Sequence, residues 1–355
     1  MDKVAILAIT KNGVEISSKI KRIFPSWEVF APKKLYGDSI SATWYEEQTS
    51  AKIVELFEKY NGLICLFSLG AVIRLIAPYL KDKKTDPAII VIDDKANFVI
   101  SVLSGHLGGA NELAEEIARK LGSTAVITTA ADVNKTIAVD MVGREFSWKI
   151  EDDSNVTKIS ALMVNEEKIG VFQDAGEKNW LKIELPKNVI ICNSIDELKK
   201  SNAKAFLIIS DRIISTDIAK DSVIYRPKSL VIGIGLHSDT TKEKIKECIE
   251  TSLTKFGLSE MCIKKLVSIK KPIDVVGLID AAKDFQVPLE YFERDILAQV
   301  NIPNPSETVK AFEGTPSVSE AAALKSSGGS LISLFDFSDS FMFLSNFVII
   351  VIELL

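Results

Sequence analysis

Histidine is nearly absent from this chain, with His106 and His237 the two examples in 355 residues. Each position is therefore informative, because imidazole is the side chain that exchanges protons near neutral pH. Cysteine is sparse as well. Cys65, Cys192, Cys248 and Cys262 are widely scattered, with no C-x-x-C pair and no Cys/His cluster. That spacing argues against a zinc site and a disulfide framework, and it fits a reducing, cytoplasmic setting. The net charge is −5, and no basic run is interleaved with aromatics, so nucleic acid is not an expected partner. There is no G-x-x-x-x-G-K-[ST] loop and no G-x-G-x-x-G before a helix, and the pair Gly233-Ile-Gly235 is too short to replace them. A nucleotide-binding enzyme is disfavoured on that ground. Long apolar runs are missing too. Met1 to Thr10 lacks the length and cleavage site of a signal peptide and reads as a first strand. Phe341 to Leu355 is strongly apolar, but its fifteen residues fall short of the roughly 20 that span a membrane. A buried terminal strand, a weak anchor and an altered reading frame are open for that tail, the buried or aberrant readings being favoured over the anchor.

The composition, 47% hydrophobic and 26% charged, is that of a globular protein, and the length suggests two or three domains. Strand and helix patterns alternate over the first 130 residues. Strands are expected at 3–9, 27–31, 62–67, 87–92, 98–103 and 125–128, and helices at about 13–24, 46–59, 71–80 and from 110. From residue 151 the texture becomes strand-like, at 159–164, 168–172, 180–184, 189–192, 205–209 and 222–225, with weak helical cover near 195–199. Arg226-Pro-Lys-Ser229 reads as a linker. A third unit opens on the strand 230–235, followed by a helix from about 241, a strand at 262–269, a helix at 275–285 and a strand at 288–292. The fold class expected is α/β, with N-terminal and C-terminal α/β sandwich domains and a small strand-rich middle domain. The domains are placed at 1–146, 147–226 and 229–340, with an atypical tail at 341–355.

The most informative stretch is Leu103-Ser-Gly-His-Leu-Gly-Gly-Ala-Asn-Glu-Leu113. It puts His106 on a glycine-rich turn between a strand and a helix, where a ligand can approach the backbone and free N–H groups suit an anion. Asn111 and Glu112 open the helix, where capping and dipole effects account for them as well as substrate contact does. Lys84-Thr-Asp-Pro87, taken alone, is a solvated turn. Asp132 closes Thr128-Thr-Ala-Ala-Asp132 at the C-terminal end of an expected strand, the end at which open α/β sheets bind ligands. Arg74, Lys81, Lys83 and Lys84 form a local basic group in an acidic protein. Ser317 and Glu320 have capping-box spacing ahead of an alanine-rich helix.

Ser104-Gly-His-Leu-Gly-Gly-Ala-Asn-Glu-Leu-Ala114 resembles the signature of the cobalamin biosynthesis protein G family, the cobalt-precorrin-5A hydrolases. Ile76-Ala-Pro78, Lys84-Thr-Asp-Pro87, Val126-Ile-Thr-Thr-Ala-Ala-Asp132 and Gly314-Thr-Pro-Ser-Val-Ser-Glu-Ala-Ala-Ala323 support the likeness. It is dense over about 62–142, patchier over 229–329 and thin between. Three features depart from the family's pattern: Ala131 in place of a second threonine, Leu236-His-Ser238 in place of a Cys-Arg-Arg-like run, and the tail. The resemblance implies an enzyme of anaerobic cobalamin biosynthesis that opens the δ-lactone of cobalt-precorrin-5A and releases acetaldehyde. Its ligand would be a cobalt corrinoid, with the cobalt carried by the substrate and no cofactor or metal of the protein's own. Contact with neighbouring pathway enzymes and homo-oligomerisation stay open, and a membrane is not expected. A non-catalytic corrinoid-binding or channelling protein is the competing reading.

Residue type and placement then assign roles. His106 is the base, and Asp86 or Glu112 orients its ring. The amides of Gly108 and Gly109 stabilise an oxyanion. Arg74 and Lys84 hold substrate carboxylates. Asn111, Thr128, Thr129, Asp132, Thr315 and Glu320 complete the expected substrate contacts.

Overall fold

The computed structural model describes residues 3–37, 40–82, 85–328, 330–336 and 348–353. It divides into two compact units, Met1–Met141 and Val142–Leu355, which together hold three sheets.

The first unit has strands β1 (Val4–Ala8), β2 (Glu28–Pro32), β3 (Thr43–Tyr45), β4 (Gly62–Leu66), β5 (Ala88–Ile92), β6 (Phe98–Leu103) and β7 (Thr124–Val126). Its helices are α1 (Lys11–Ile23), α2 (Thr49–Lys59), α3 (Leu69–Ile76), α4 (Ala110–Leu121) and the single turn α5 (Ala130–Val133). The sheet order is β3-β2-β1-β4-β5-β6-β7. Its apolar runs are continuous because helices cover both faces. Val4, Ile6 and Ala8 pack with residues of α1 and α4 such as Ile20 and Ala114. Ala5 and Leu7 face Ile53 and Leu56 of α2 and Val72 of α3 on the other side. All strands from β1 to β5 run parallel, but β6 is antiparallel to β5, and β7 is parallel to β6. The ends of β6 and β7 therefore lie where β4 and β5 begin. That reversal decides where the His106 turn sits.

The second unit carries two sheets. The first contains β8 (Lys149–Ile150), β9 (Ile169–Gln173), β10 (Val189–Cys192), β11 (Ala205–Ile209) and β12 (Ser222–Arg226), in the order β10-β9-β11-β12-β8. Helices α6 (Val156–Val164), α7 (Ile195–Lys200) and α8 (Thr216–Ala219) accompany it. Two expectations fail here. Residues 159–164 form part of α6 and not a strand, with Val156, Ile159 and Met163 buried at helical spacing. Residues 180–184 form no strand.

The remaining strands are β13 (Leu230–Gly235), β14 (Ile263–Ile269), β15 (Leu289–Phe292), β16 (Ser330–Asp336) and β17 (Val348–Glu353), ordered β15-β14-β13-β17-β16. Helices α9 (Lys242–Lys255) and α10 (Val276–Asp284) cover one face. The other face packs against α11 (Arg294–Leu297) and α13 (Ser319–Ser327), with α12 (Glu307–Glu313) preceding α13. The apolar end of the chain thus contributes a strand, β17, paired antiparallel with β13. Arg226, read from sequence as linker, is fully buried. Its guanidinium donates to the carbonyls of Ser210 and Arg212 and, through two bonds of 3.0 and 2.9 Å, to the Glu151 carboxylate. The same 210–213 segment pairs with 257–259, Ile213 N–H donating to the Gly257 carbonyl and Ser259 N–H to the Asp211 carbonyl. All four cysteines are buried free thiols, and burial pushes Cys262 up to about 12.

Candidate active site

The turn between β6 and α4 is built by close approach. A Cβ on Gly108 would lie 2.3 Å from Ser104 Cβ, and one on Gly105 would lie 2.6 Å from Asn111 Oδ1, so neither position has room for a side chain. Gly109 adopts φ +80°, which glycine reaches without steric cost. Ser104 also has positive φ (55°), and its hydroxyl donates to the Asp86 carbonyl at 2.8 Å. The turn closes on itself: Gly109 N–H donates to the His106 carbonyl, Ala110 N–H to Ser104 and Asn111 N–H to Gly105. The Gly109 amide, expected with that of Gly108 to stabilise an oxyanion, is therefore already used. Among the described residues the Gly108 N–H has no such partner.

His106 projects from this turn with 16% of its side chain exposed. Nε2 lies 3.1 Å from Asp132 Oδ2, and Nδ1 lies 3.4 Å from Asp140 Oδ1. Asp140 is covered, 17% exposed, while Asp132 on α5 is more open at 40%. Carboxylates accept and do not donate, so both ring nitrogens are best satisfied when each carries a proton. The Asp140 hydrogen bond raises the His106 pKa above its ordinary value, helped by the charges of Asp140 and Asp132 and opposed by desolvation. The ring is held between two carboxylates, an arrangement that favours its protonated form.

Asn111 fixes one of those anions. Its buried amide donates to Asp132 Oδ2 at 2.5 Å and to Thr129 Oγ1 at 2.9 Å, while its Oδ1 accepts from Ser101 at 2.6 Å. The sequence-expected residues His106, Asn111, Thr129 and Asp132 are thus brought together. Gly108 and Gly109 shape the turn that carries them.

The other expected site residues lie apart from this cluster or outside the described residues. The imidazole is oriented by Asp132 and Asp140, not by Asp86 or Glu112. Both Asp86 carboxylate oxygens accept from the Lys81 N–H, at 3.2 and 3.0 Å, which ties down the loop before β5. Glu112 is exposed on the first turn of α4. Arg74 is exposed on α3, donating to the Gly70 carbonyl at 3.2 Å. Thr128 is exposed just before α5. Lys84, with Lys83, lies outside the described residues. Thr315 and Glu320 belong to the second unit. Thr315 is buried and donates to the Ser317 carbonyl. Glu320 is buried and accepts from Asn304 at 2.8 Å. Asp132 lies on α5, six residues beyond the end of β7, and β6 and β7 run against β5. The site is therefore at the end of the sheet opposite the carboxyl ends of β1, β4 and β5, the usual ligand crevice.

Asp140 was missed because no motif surrounds it. The signal lay in alternation: Ile137 and Val139 are buried, and the residues between and after them are less so, which turns Asp140 away from the packed side. The two ring nitrogens face different carboxylates, and among the described residues no group of three or more His, Cys, Asp or Glu side chains is placed to hold a metal ion.

Three family models match the chain in order: Cobalamin synthesis G N-terminal over 51–132, Cobalamin biosynthesis central region over 137–227, and Cobalamin synthesis G C-terminus over 230–335. A cobalt-precorrin-5A hydrolase of Priestia megaterium is 42% identical over 338 residues, covering 93% of this chain and 90% of its own length. One from Salmonella typhimurium is 28% identical over 339 residues, covering 93% of both chains. Protein CobE of a Sinorhizobium species is 30% identical over 101 residues, covering 28% of this chain and 66% of its own.

Proposed function

The chain belongs to the cobalamin synthesis G family, and from that premise we propose that it is a cobalt-precorrin-5A hydrolase, opening the δ-lactone and releasing acetaldehyde to leave cobalt-precorrin-5B. The observation that carries this reading is the near full-length likeness to proteins of that name. The geometry of His106 supports a specific division of labour.

Lactone opening has two proton demands. Water must lose a proton as it attacks the carbonyl, and the departing alkoxide must gain one. Asp132, open to solvent, takes the proton from water. His106, in its protonated form, gives its Nε2 proton to the alkoxide oxygen, while Asp140 keeps the ring oriented and basic enough to recover a proton. The Gly108 N–H and the imidazolium offset charge on the carbonyl oxygen. The products of this step are a hydroxyethyl group and a carboxylic acid, which releases its remaining proton to solvent and becomes a carboxylate. Neutral His106 then withdraws the hydroxyl proton, the carbon–carbon bond to the ring breaks, and acetaldehyde leaves. The conjugated macrocycle accepts the electron pair and is protonated at the vacated carbon by the proton held on Asp132. His106 is thus acid first and base second on one oxygen, a refinement of the simple base role. Arg74 and Lys84 serve the substrate's peripheral carboxylates.

The protein needs no cofactor of its own in this scheme, since cobalt arrives inside the substrate. No helix among the described residues is long and apolar enough to cross a membrane. We place the enzyme in the cytoplasm, working beside other enzymes of the same pathway. Anaerobic incubation of the purified protein with cobalt-precorrin-5A should release one acetaldehyde per macrocycle converted. Tight binding of the substrate by folded protein without acetaldehyde would overturn the proposal in favour of a corrinoid-binding or channelling protein.

A further inference from the structure

The cluster around His106 has a carboxylate on two sides and is open on one of them. Asp140 is covered, whereas Asp132 reaches solvent from α5. A ligand that meets the Nε2 edge of the imidazole therefore arrives over α5 and the turn that ends it. That turn is a Schellman motif: Thr136 N–H donates to the Ala131 carbonyl and Lys135 N–H to the Asp132 carbonyl, at 3.0 and 3.1 Å. Lys135 takes its left-handed position with φ +51°, which glycine fills at less cost. Glu166 and Gln286 have positive φ just after α6 and α10, so the conformation by itself assigns nothing.

What singles out Lys135 is its placement. It is exposed, its backbone is bonded to that of Asp132, and its ammonium has no hydrogen-bond or ion-pair partner among the described residues. Between His106 and Asp140 the other cations are Arg119 and Lys120. Those two lie in the last turn of α4, whereas Asn111, in its first turn, is the residue that touches Asp132. Close by, Val133 is 62% exposed on α5. Two carboxylates beside the imidazole repel a substrate that is itself a polyacid unless a cation offsets them. We propose that Lys135 grips a peripheral carboxylate of the substrate, with Val133 against the apolar groups beside it. This inference rests on the proposed function, from which it takes a polycarboxylate substrate. A lysine at a helix end also complements the last carbonyls, which is a purely structural role. Glycine separates the two roles, because it suits the left-handed backbone and removes the charge.

Acetaldehyde release, equilibrium binding of cobalt-precorrin-5A and thermal unfolding are read on wild type, Lys135→Gly and Lys135→Arg. Lys135→Gly should raise KM about fivefold, or about 1 kcal/mol, change kcat by less, and unfold at no lower temperature than wild type. Lys135→Arg keeps the charge and should stay within about twofold of wild type. Added salt should raise the wild-type KM more steeply than that of Lys135→Gly. An unmoved KM in Lys135→Gly, equal salt dependence, or a raised KM accompanied by a lower unfolding temperature would each overturn the proposal. Release by wild type with an unmoved KM in Lys135→Gly defeats this inference alone. Binding without release defeats the proposed function alone, and the ratio of the two affinities then reads Lys135. No binding to wild type would overturn both.

Discussion

Asp140→Asn removes one negative charge from the His106 ring and changes little else in size. The contact it alters spans 3.4 Å between side chains that are 16% and 17% exposed. A hydrogen bond to a charged partner contributes about 1.5–3 kcal/mol, and the long separation argues for the lower end. About 1.5 kcal/mol corresponds to roughly a tenfold fall in kcat if the interaction holds the ring through the transition state. The pH dependence is more diagnostic. Asp140 raises the His106 pKa above 6.5, so the imidazolium needed for the first proton transfer is lost only as pH rises through that raised value. The alkaline limb of kcat should move to lower pH in Asp140→Asn. Stability follows the same sign. The contribution of the pair is complete below about pH 6.5 and fades as pH climbs through the folded-state value, so wild type and variant should differ most in acid and converge in alkali. With two histidines in the chain, titration of the imidazole C2 protons by NMR reads His106 directly. An unmoved His106 midpoint, or an unmoved alkaline limb with unchanged kcat, would refute the arrangement.

Asn111→Ala should cost about 1–3 kcal/mol in urea unfolding, because Asp132, Thr129 and Ser101 all lose a buried partner, and it should depress kcat more than it raises KM. Gly108→Ala forces the turn open, since its Cβ would overlap Ser104; a folded protein by circular dichroism with acetaldehyde release reduced at least about a hundredfold, or about 2.7 kcal/mol, is expected. Glu151→Ala strands the buried Arg226 guanidinium and should lower stability by about 2–3 kcal/mol, less than for a fully buried pair because Glu151 is partly in water. That loss belongs to the second unit and should leave the pH profile of turnover unchanged.

How much of this was legible depended on whether a pattern was local. β1, β4 and β5 stood out as unbroken apolar runs because both faces of their sheet are covered. The glycine turn announced itself through composition, and its glycines are required by contacts with Ser104 and Asn111. The run 159–164 misled because a short apolar segment fits strand or helix, and the deciding residue, Val156, lay outside it. Asp86 and Glu112 were favoured because they sit in or beside motifs, yet motif membership does not say which carboxylate reaches a ring nitrogen. Asp140, 34 residues beyond His106, arrives through the path of the chain after α5. The reversal of β6 was equally hidden, since its strand signal carries no direction. Arg226 looked like linker because burial of a charged residue depends on a partner, Glu151, distant in sequence.

The central claim is that His106 transfers protons to and from one substrate oxygen, and His106→Ala tests it most directly. Under saturating cobalt-precorrin-5A, with substrate binding measured on the same preparation, the variant should bind within about threefold of wild type, a difference under 1 kcal/mol. It should release acetaldehyde at least about a thousandfold more slowly, a barrier increase of about 4 kcal/mol. Release at a rate near that of wild type by the folded variant would contradict the account.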